Sequence, residues 1–249
     1  MRLLLINPNT SREVTETVVA AARAVLPAGV DLVAVTGRFG CRYIASRAAA
    51  SIAGHAALDA MAEHVEGCDA VLLACFGDPG LLALKELSPV PVVGMAEASC
   101  HLACTLGRRF AIVTGGERWP AMLEEFVAAQ GLTSRMAGIR ALAPTGDVLT
   151  RDLDAGMAQL AEACRLAVEA DGAEVVILGG AALAGLAGRV GEKVDVPVLC
   201  SLEAGLRATI ATASLAPRKA TVGSLALPPE IESVGLAEAL EQRLKLRPR

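Results

Sequence analysis

Aromatic side chains and metal-ligand spacings are scarce in this chain. Only 2% of its 249 residues are Phe, Trp or Tyr, and the net charge is -4. Nucleic-acid surfaces rely on positive charge and on aromatic rings that stack with bases, so the composition argues against a nucleic-acid partner. The three histidines are scattered and no CxxC or HxxxH spacing occurs. We therefore expect no metal site.

Paired cysteines and long apolar runs are also lacking. Seven cysteines without paired spacing argue against a disulfide framework, and we expect reduced thiols. No run of about eighteen uncharged apolar residues occurs, so we expect no membrane partner. The first apolar stretch ends at Asn7 without the pattern of a secretory signal. These features predict a cytoplasmic protein, and Ala-rich helices make a homo-oligomer an open option.

The chain does contain an internal repeat. Residues 69–81 read DAVLLACFGDPGL and residues 174–186 read EVVILGGAALAGL, with an acid, an apolar run and a closing Gly-Leu in register. Residues 90–98 (VPVVGMAEA) and 196–204 (VPVLCSLEA) match at nearly the same offset. Two aligned blocks in the same order predict a duplicated unit of roughly a hundred residues, with a site between two related lobes.

Short apolar runs alternate with helical stretches throughout the chain. Continuously apolar runs are typical of buried parallel strands. Strands are predicted at 3–6, 31–35, 70–74, 90–93, 110–113, 134–139, 175–178 and 196–199, with a further candidate at 221–224. Helices are predicted at 11–25, 48–65, 119–130, 151–170 and 203–212.

This order predicts an α/β protein of two pseudo-symmetric lobes. Each lobe should be a parallel sheet of about four strands flanked by helices, with the active site in the cleft at the carboxyl ends of the strands. We expect the first lobe to span residues 1–105 and carry Cys75, and the second to span residues 106–249. The last segment of the chain is a candidate to pack back onto the first lobe.

The loop after the third predicted strand carries Cys75, followed by Phe76 and Gly77. Glycines let a ligand approach the backbone, and N–H groups at the start of a helix would lower the pKa of a nearby thiol. A thiolate at this place is suited to taking a proton from a substrate. The residues alone equally allow Cys75 to be a small buried core residue.

Other strand-end residues are candidates for holding a substrate. Asn9, in the loop after the first strand, offers an amide to a polar group, although Pro8 and Ser11 also explain this loop as a turn and a helix cap. Thr114 follows the first strand of the second lobe and either binds substrate or forms a turn. Tyr43, the lone tyrosine, is either a cleft residue or an ordinary surface residue.

Three motifs carry a resemblance to a known family. INPNTS at 6–11, ACFGDPGL at 74–81 and VPVVGMAEA at 90–98 resemble the hydantoin racemase branch of the aspartate/glutamate racemase superfamily. The resemblance implies two lobes with the active site between them, a small substrate such as a 5-substituted hydantoin, and no cofactor. In such racemases one cysteine from each lobe flanks the substrate carbon, and the two move protons on opposite faces. Cys75 matches the first of these cysteines.

The sequence departs from the family pattern at Gly180, where the second cysteine is expected. Three explanations stay open: the position has been altered, another group supplies the second proton, or the reaction needs one acid/base group. Cys200 is a candidate substitute. The arylmalonate decarboxylase branch keeps a single catalytic cysteine, so decarboxylation is an alternative, and a catalytically impaired ligand-binding relative is another.

The predicted function is a racemase that moves a proton at a carbon next to carbonyl groups. Cys75 would be the acid/base group, and backbone N–H groups after Cys75 and around Gly180 and Ala181 would stabilise the enolate. Asn9 and Thr114 would orient the polar groups of the substrate.

Overall fold

The computed structural model describes residues 1–142, 145, 149 and 152–246. Its strands are β1 (Arg2–Asn7), β2 (Asp31–Thr36), β3 (Ala70–Leu73), β4 (Val92–Gly94), β5 (Phe110–Gly115), β6 (Met136–Leu142), β7 (Val175–Gly179) and β8 (Val198–Cys200). They form two four-stranded sheets, ordered β2-β1-β3-β4 and β6-β5-β7-β8, and every pairing is parallel. Because each sheet has the same order, the predicted α/β architecture of two related lobes is confirmed.

Helices cover the faces of both sheets. They are α1 (Arg12–Val25), α2 (Arg47–His64), α3 (Leu81–Leu87), α4 (Met95–Leu106), α5 (Trp119–Ala129), α6 (Leu153–Glu169), α7 (Ala187–Gly191), α8 (Ser201–Ser214) and α9 (Glu238–Leu244). Short 3-10 turns lie at Thr133–Arg135 and Ala181–Leu183. Ser11 caps α1 because its Oγ accepts from the Val14 N–H at 3.3 Å.

Several elements differ from the sequence prediction. Helices α3, α4, α7 and α9 were not predicted, and the strand expected at 90–93 lies at Val92–Gly94. The strand expected at 221–224 is wrong, since these residues form bends and turns. The predicted helix at 151–170 begins at Arg151, which lies outside the described residues, and α6 is observed from Leu153.

Helices α4 and α8 lie between the two sheets, and we call them the exchanged helices. Helix α4 follows the first sheet but contacts β7 of the second, whereas α8 follows the second sheet but contacts β3 of the first. The two helices also pack on each other. The contact between α8 and β3 is close, since a Cβ at Gly205 of α8 would lie 2.9 Å from Leu72 Cδ1 of β3. The two lobes therefore share one apolar core, which includes Leu72, Met95, Ile112, Ile177 and Leu206.

The chain from 238 onwards returns to the first lobe. Helix α9 packs on α2, and Leu240 joins the core that includes Leu4 and Met61. Arg243, largely buried, pairs with Glu66. Among the described residues, no helix combines the length and apolar character needed to span a membrane.

Candidate active site

A cleft lies where the carboxyl ends of both sheets meet. It is lined by Asn9 after β1, Cys75 after β3, Thr114 at the end of β5 and Gly180 after β7. Parallel α/β sheets place ligands at this edge. The cavity has a volume of about 40 Å³, which leaves no room for a polymer.

Most of the predicted site residues meet in this cleft. Phe76 and Ala181 line it together with the four residues just named. Gly77 does not line it, because it lies beneath the indole ring of Trp119. A Cβ at Gly77 would lie 2.5 Å from Trp119 Cζ3.

The Cys75 thiol sits in the cleft but is largely withdrawn from solvent. Its residue is 8% exposed. Burial raises the pKa of the Cys75 thiol, and the nearby Asp78 carboxyl raises it further. The expectation of a lowered pKa is therefore wrong for this structure. The physical reason is that the buried thiolate would lose its hydration and lie near the negative charge of Asp78, and both effects disfavour the charged form.

Asp78 ties the loop that carries Cys75 to the exchanged helix α4. Its carboxylate accepts from the backbone N–H groups of Ala96 at 2.9 Å and Glu97 at 2.7 Å, and so caps that helix. Burial raises the pKa of Asp78 to about 7, although these two bonds favour the carboxylate. A side chain at Gly94 would not fit, since its Cβ would lie 2.1 Å from Asp78 Oδ2.

The Asn9 side chain is held in one orientation. Its Oδ1 accepts from the Ser11 N–H at 2.8 Å and from Asn7 Nδ2 at 2.9 Å. Because Ser11 N–H is a donor, the amide oxygen must face it, and the Asn9 NH2 group is the part available to a ligand. The predicted helix cap is confirmed, since Ser11 caps α1. Asn9 lines the cleft, and its role in binding a substrate stays a prediction.

The second lobe presents backbone at the place of the missing cysteine. The Gly180 N–H donates to Ser201 Oγ at 3.3 Å. A Cβ at Gly180 would have its nearest contacts at 3.9 Å, from Leu183 Cγ and Thr114 Oγ1, so there is space for a side chain. The backbone nevertheless favours glycine, because φ is 140°. Thr114 Oγ1 donates to the Gly179 carbonyl at 2.6 Å.

Cys200 does not serve this cleft. It lines a separate, largely apolar groove with residues such as Ala21 and Leu102. Its candidacy as a substitute for the second cysteine is therefore not supported by its place in the fold.

Ile44 and Trp119 also line the cleft, although the sequence analysis assigned them no role. Tyr43 lines it as well, which is the first of the two places predicted for this residue. The Tyr43 hydroxyl donates to the Gly115 carbonyl of the second lobe at 3.4 Å. Being the lone tyrosine and the lone tryptophan was the one available signal for Tyr43 and Trp119.

Known proteins resemble this chain over nearly its whole length. A curated hydantoin racemase from Paenarthrobacter aurescens is 35% identical over 234 residues, covering 92% of this chain and 98% of that protein. The crystal structure of an allantoin racemase from Pseudomonas fluorescens superposes with a TM-score of 0.91 at 31% identity, covering 94% of this chain and all of that one.

The arylmalonate decarboxylase likeness is more distant. A structure of a variant of that enzyme has a TM-score of 0.67 at 21% identity, covering 85% of this chain and 92% of the other. At this identity the likeness shows the fold alone, so decarboxylation is not favoured.

The profile of the family described as Asp/Glu/Hydantoin racemase matches residues 3–209, which include every cleft residue discussed above. The resemblance predicted from the three motifs is confirmed, and the chain belongs to the Asp/Glu/hydantoin racemase family.

Proposed function

We propose that this protein is a cofactor-independent racemase of a 5-substituted hydantoin or a similar small cyclic amide. The observation that carries the proposal is the Cys75 thiol in the cleft between the lobes, at the carboxyl ends of both sheets. Relatives named for hydantoin and allantoin racemase activity support this substrate class.

In the proposed reaction the Cys75 thiolate takes the proton from the ring carbon beside the carbonyl. The electron pair of the broken C–H bond moves onto the carbonyl oxygen and forms an enolate. Within the described residues the N–H group of Phe76, which lines the cleft, meets no protein acceptor and is free to donate to such an oxygen. The Asn9 NH2 group and the Thr114 hydroxyl would orient the polar atoms of the ring.

Burial of Cys75 also bears on this step. A thiol with a raised pKa is mostly protonated at neutral pH, but its thiolate is a stronger base once formed. A bound substrate would displace water from the cleft and place its polar ring beside the thiol, in position for the proton transfer.

Gly180 supports a second candidate, a ligand-binding relative that has lost catalysis. Glycine has no group that exchanges a proton, so the face opposite Cys75 lacks the cysteine implied by the resemblance. Such a protein would be stabilised by a hydantoin, by an amount that grows with the logarithm of ligand concentration over Kd, without exchanging its C5 proton.

Deuterium exchange separates the two candidates. Single enantiomers of 5-methylhydantoin are incubated in D2O, and the C5 proton is followed by NMR while optical rotation is recorded. We expect exchange above the enzyme-free rate, and its loss in Cys75→Ala. Cys164→Ala is the control, because Cys164 is also buried but lies in the second-lobe core. Binding without Cys75-dependent exchange would favour the second candidate.

We also place the protein in the cytoplasm, since an acid/base thiol needs a reducing compartment. Self-association is a further proposal, and light scattering on the purified protein tests it.

A further inference from the structure

Gly180 leaves the face of the substrate opposite Cys75 without the expected proton donor. We propose that Tyr43 is a catalytic residue of this protein and serves that face as the second acid/base group. The inference rests on the proposed function, since it assigns the second half of the same proton transfer.

The Tyr43 hydroxyl contacts the second lobe at the strand end next to the one that Gly180 follows. Strands β5 and β7 pair Thr114 with Gly179. This is the last pair of the register, and Gly115 and Gly180 are the residues that directly follow it on strands about 4.8 Å apart. The Tyr43 hydroxyl donates to the carbonyl oxygen of Gly115 at 3.4 Å. A side chain from the first lobe thus reaches the second-lobe side of the cleft.

The chemistry of the cleft lining singles out the same residue. Among the described residues that line the cleft, Cys75 and Tyr43 are the two that titrate. The Asn9 amide and the Thr114 hydroxyl offer hydrogen bonds but do not give up protons in the accessible pH range. A phenol, with an ordinary pKa of about 10, does exchange protons with strong carbon bases.

The segment carrying Tyr43 is held against the first lobe on its inner side. The Thr10 N–H donates to the Cys41 carbonyl at 3.1 Å, and Arg42 pairs with Glu13 at 3.0 Å. The neighbouring Ile44 is buried in the shared core. These contacts position the half-buried phenol for a defined approach to the substrate.

The proton balance closes over the two groups. For one enantiomer the Cys75 thiolate takes the C5 proton, and the Tyr43 O–H gives its proton to the opposite face of the same carbon. The enzyme is left as thiol and phenolate, which is the form that converts the other enantiomer by the reverse path. Solvent resets the pair by moving one proton from sulfur to oxygen. Burial raises the pKa of the Cys75 thiol, which makes its thiolate a stronger base for the first half of the transfer.

Tyr43→Phe tests the assignment with 5-methylhydantoin as substrate. Loss of one acid/base group costs roughly 100-fold or more in rate, so we expect racemisation of both enantiomers to fall by at least that factor. Wild-type protein that exchanges the proton but does not racemise, or a variant that racemises at the wild-type rate, would overturn the proposal.

A rescue distinguishes lost chemistry from damaged structure. Gly180→Cys in the Tyr43→Phe background places a thiol on the same face, where the nearest atoms to the new Cβ are 3.9 Å away. We expect racemisation to return by at least about tenfold, despite the strain of a side chain at this φ. A folded double variant without recovery would overturn the proposal. Absence of any Cys75-dependent exchange in the wild type would instead refute the proposed function itself.

Discussion

The ring of Phe76 occupies the space where a side chain of Gly179 would lie. A Cβ at Gly179 would be 2.5 Å from Phe76 Cε1. The contact is reciprocal, because the indole of Trp119 in the second lobe covers Gly77 in the first in the same way. Each lobe therefore supplies an aromatic ring that rests on a glycine of the other, and both rings line the cleft.

Gly179→Ala should displace Phe76 and impair the cleft. The new methyl group overlaps the ring, and overpacking of this kind costs about 1–3 kcal/mol of stability. We expect a lower Tm by circular dichroism and a loss of racemase activity that exceeds the loss of fold. Gly188→Ala is the matched control, since nothing lies within 4 Å of its Cβ position. Unchanged activity in Gly179→Ala would mean that the position of Phe76 is unimportant for catalysis.

Proton exchange should accelerate with rising pH well beyond the ordinary thiol range. Burial raises the pKa of the Cys75 thiol, so the thiolate fraction at neutral pH is small and grows as pH increases. We expect kcat/KM for C5 exchange to rise through and above pH ~8.5, the reference value for cysteine. The pH dependence of iodoacetamide labelling at Cys75 gives an independent measurement. A rate that is already constant near neutral pH would contradict a raised pKa.

Asp78→Asn should move that alkaline limb to lower pH. The Asp78 carboxyl is a secondary cause of the raised pKa of Cys75, and the amide removes its charge. The pH profile of exchange measures the shift. Asp59→Asn provides the control, because Asp59 is also buried but pairs with Arg38 elsewhere in the first lobe. An identical profile in Asp78→Asn would show that burial alone controls the thiol.

Asn9→Ala should lower the stability of the protein and weaken substrate binding. It removes the acceptor for the Ser11 N–H and for Asn7 Nδ2, and each lost buried hydrogen bond costs about 1–3 kcal/mol. We expect a lower midpoint in urea and a higher KM for 5-methylhydantoin. Asn9→Asp keeps the acceptor oxygen and loses the NH2 donor, so it should retain more stability while still raising KM. Equal KM values in both variants and the wild type would remove Asn9 from the substrate site.

Much of the architecture could be predicted because buried parallel strands leave continuous apolar runs in the sequence. Such runs, together with the repeat around Cys75 and Gly180, located both sheets and their common edge. Helix α4 was not predicted, because its sequence lacks the pattern of a half-exposed helix. It is buried between the lobes, with Met95, Ala96, Cys100 and Ala103 inaccessible, so it carries no simple polar face.

The pKa of Cys75 and the place of Tyr43 could not be predicted from sequence. Burial of the thiol depends on how the second lobe closes over the first, which neighbouring residues do not encode. The contact between Tyr43 and Gly115 likewise joins segments that are distant along the chain.

The exchanged helices determine how the protein unfolds. Neither lobe can unfold alone without removing α4 or α8 from the sheet that it covers, which would expose Leu72 or Ile177 to water. Heat should therefore melt both halves in a single cooperative transition, with one calorimetric peak and no surviving half-molecule.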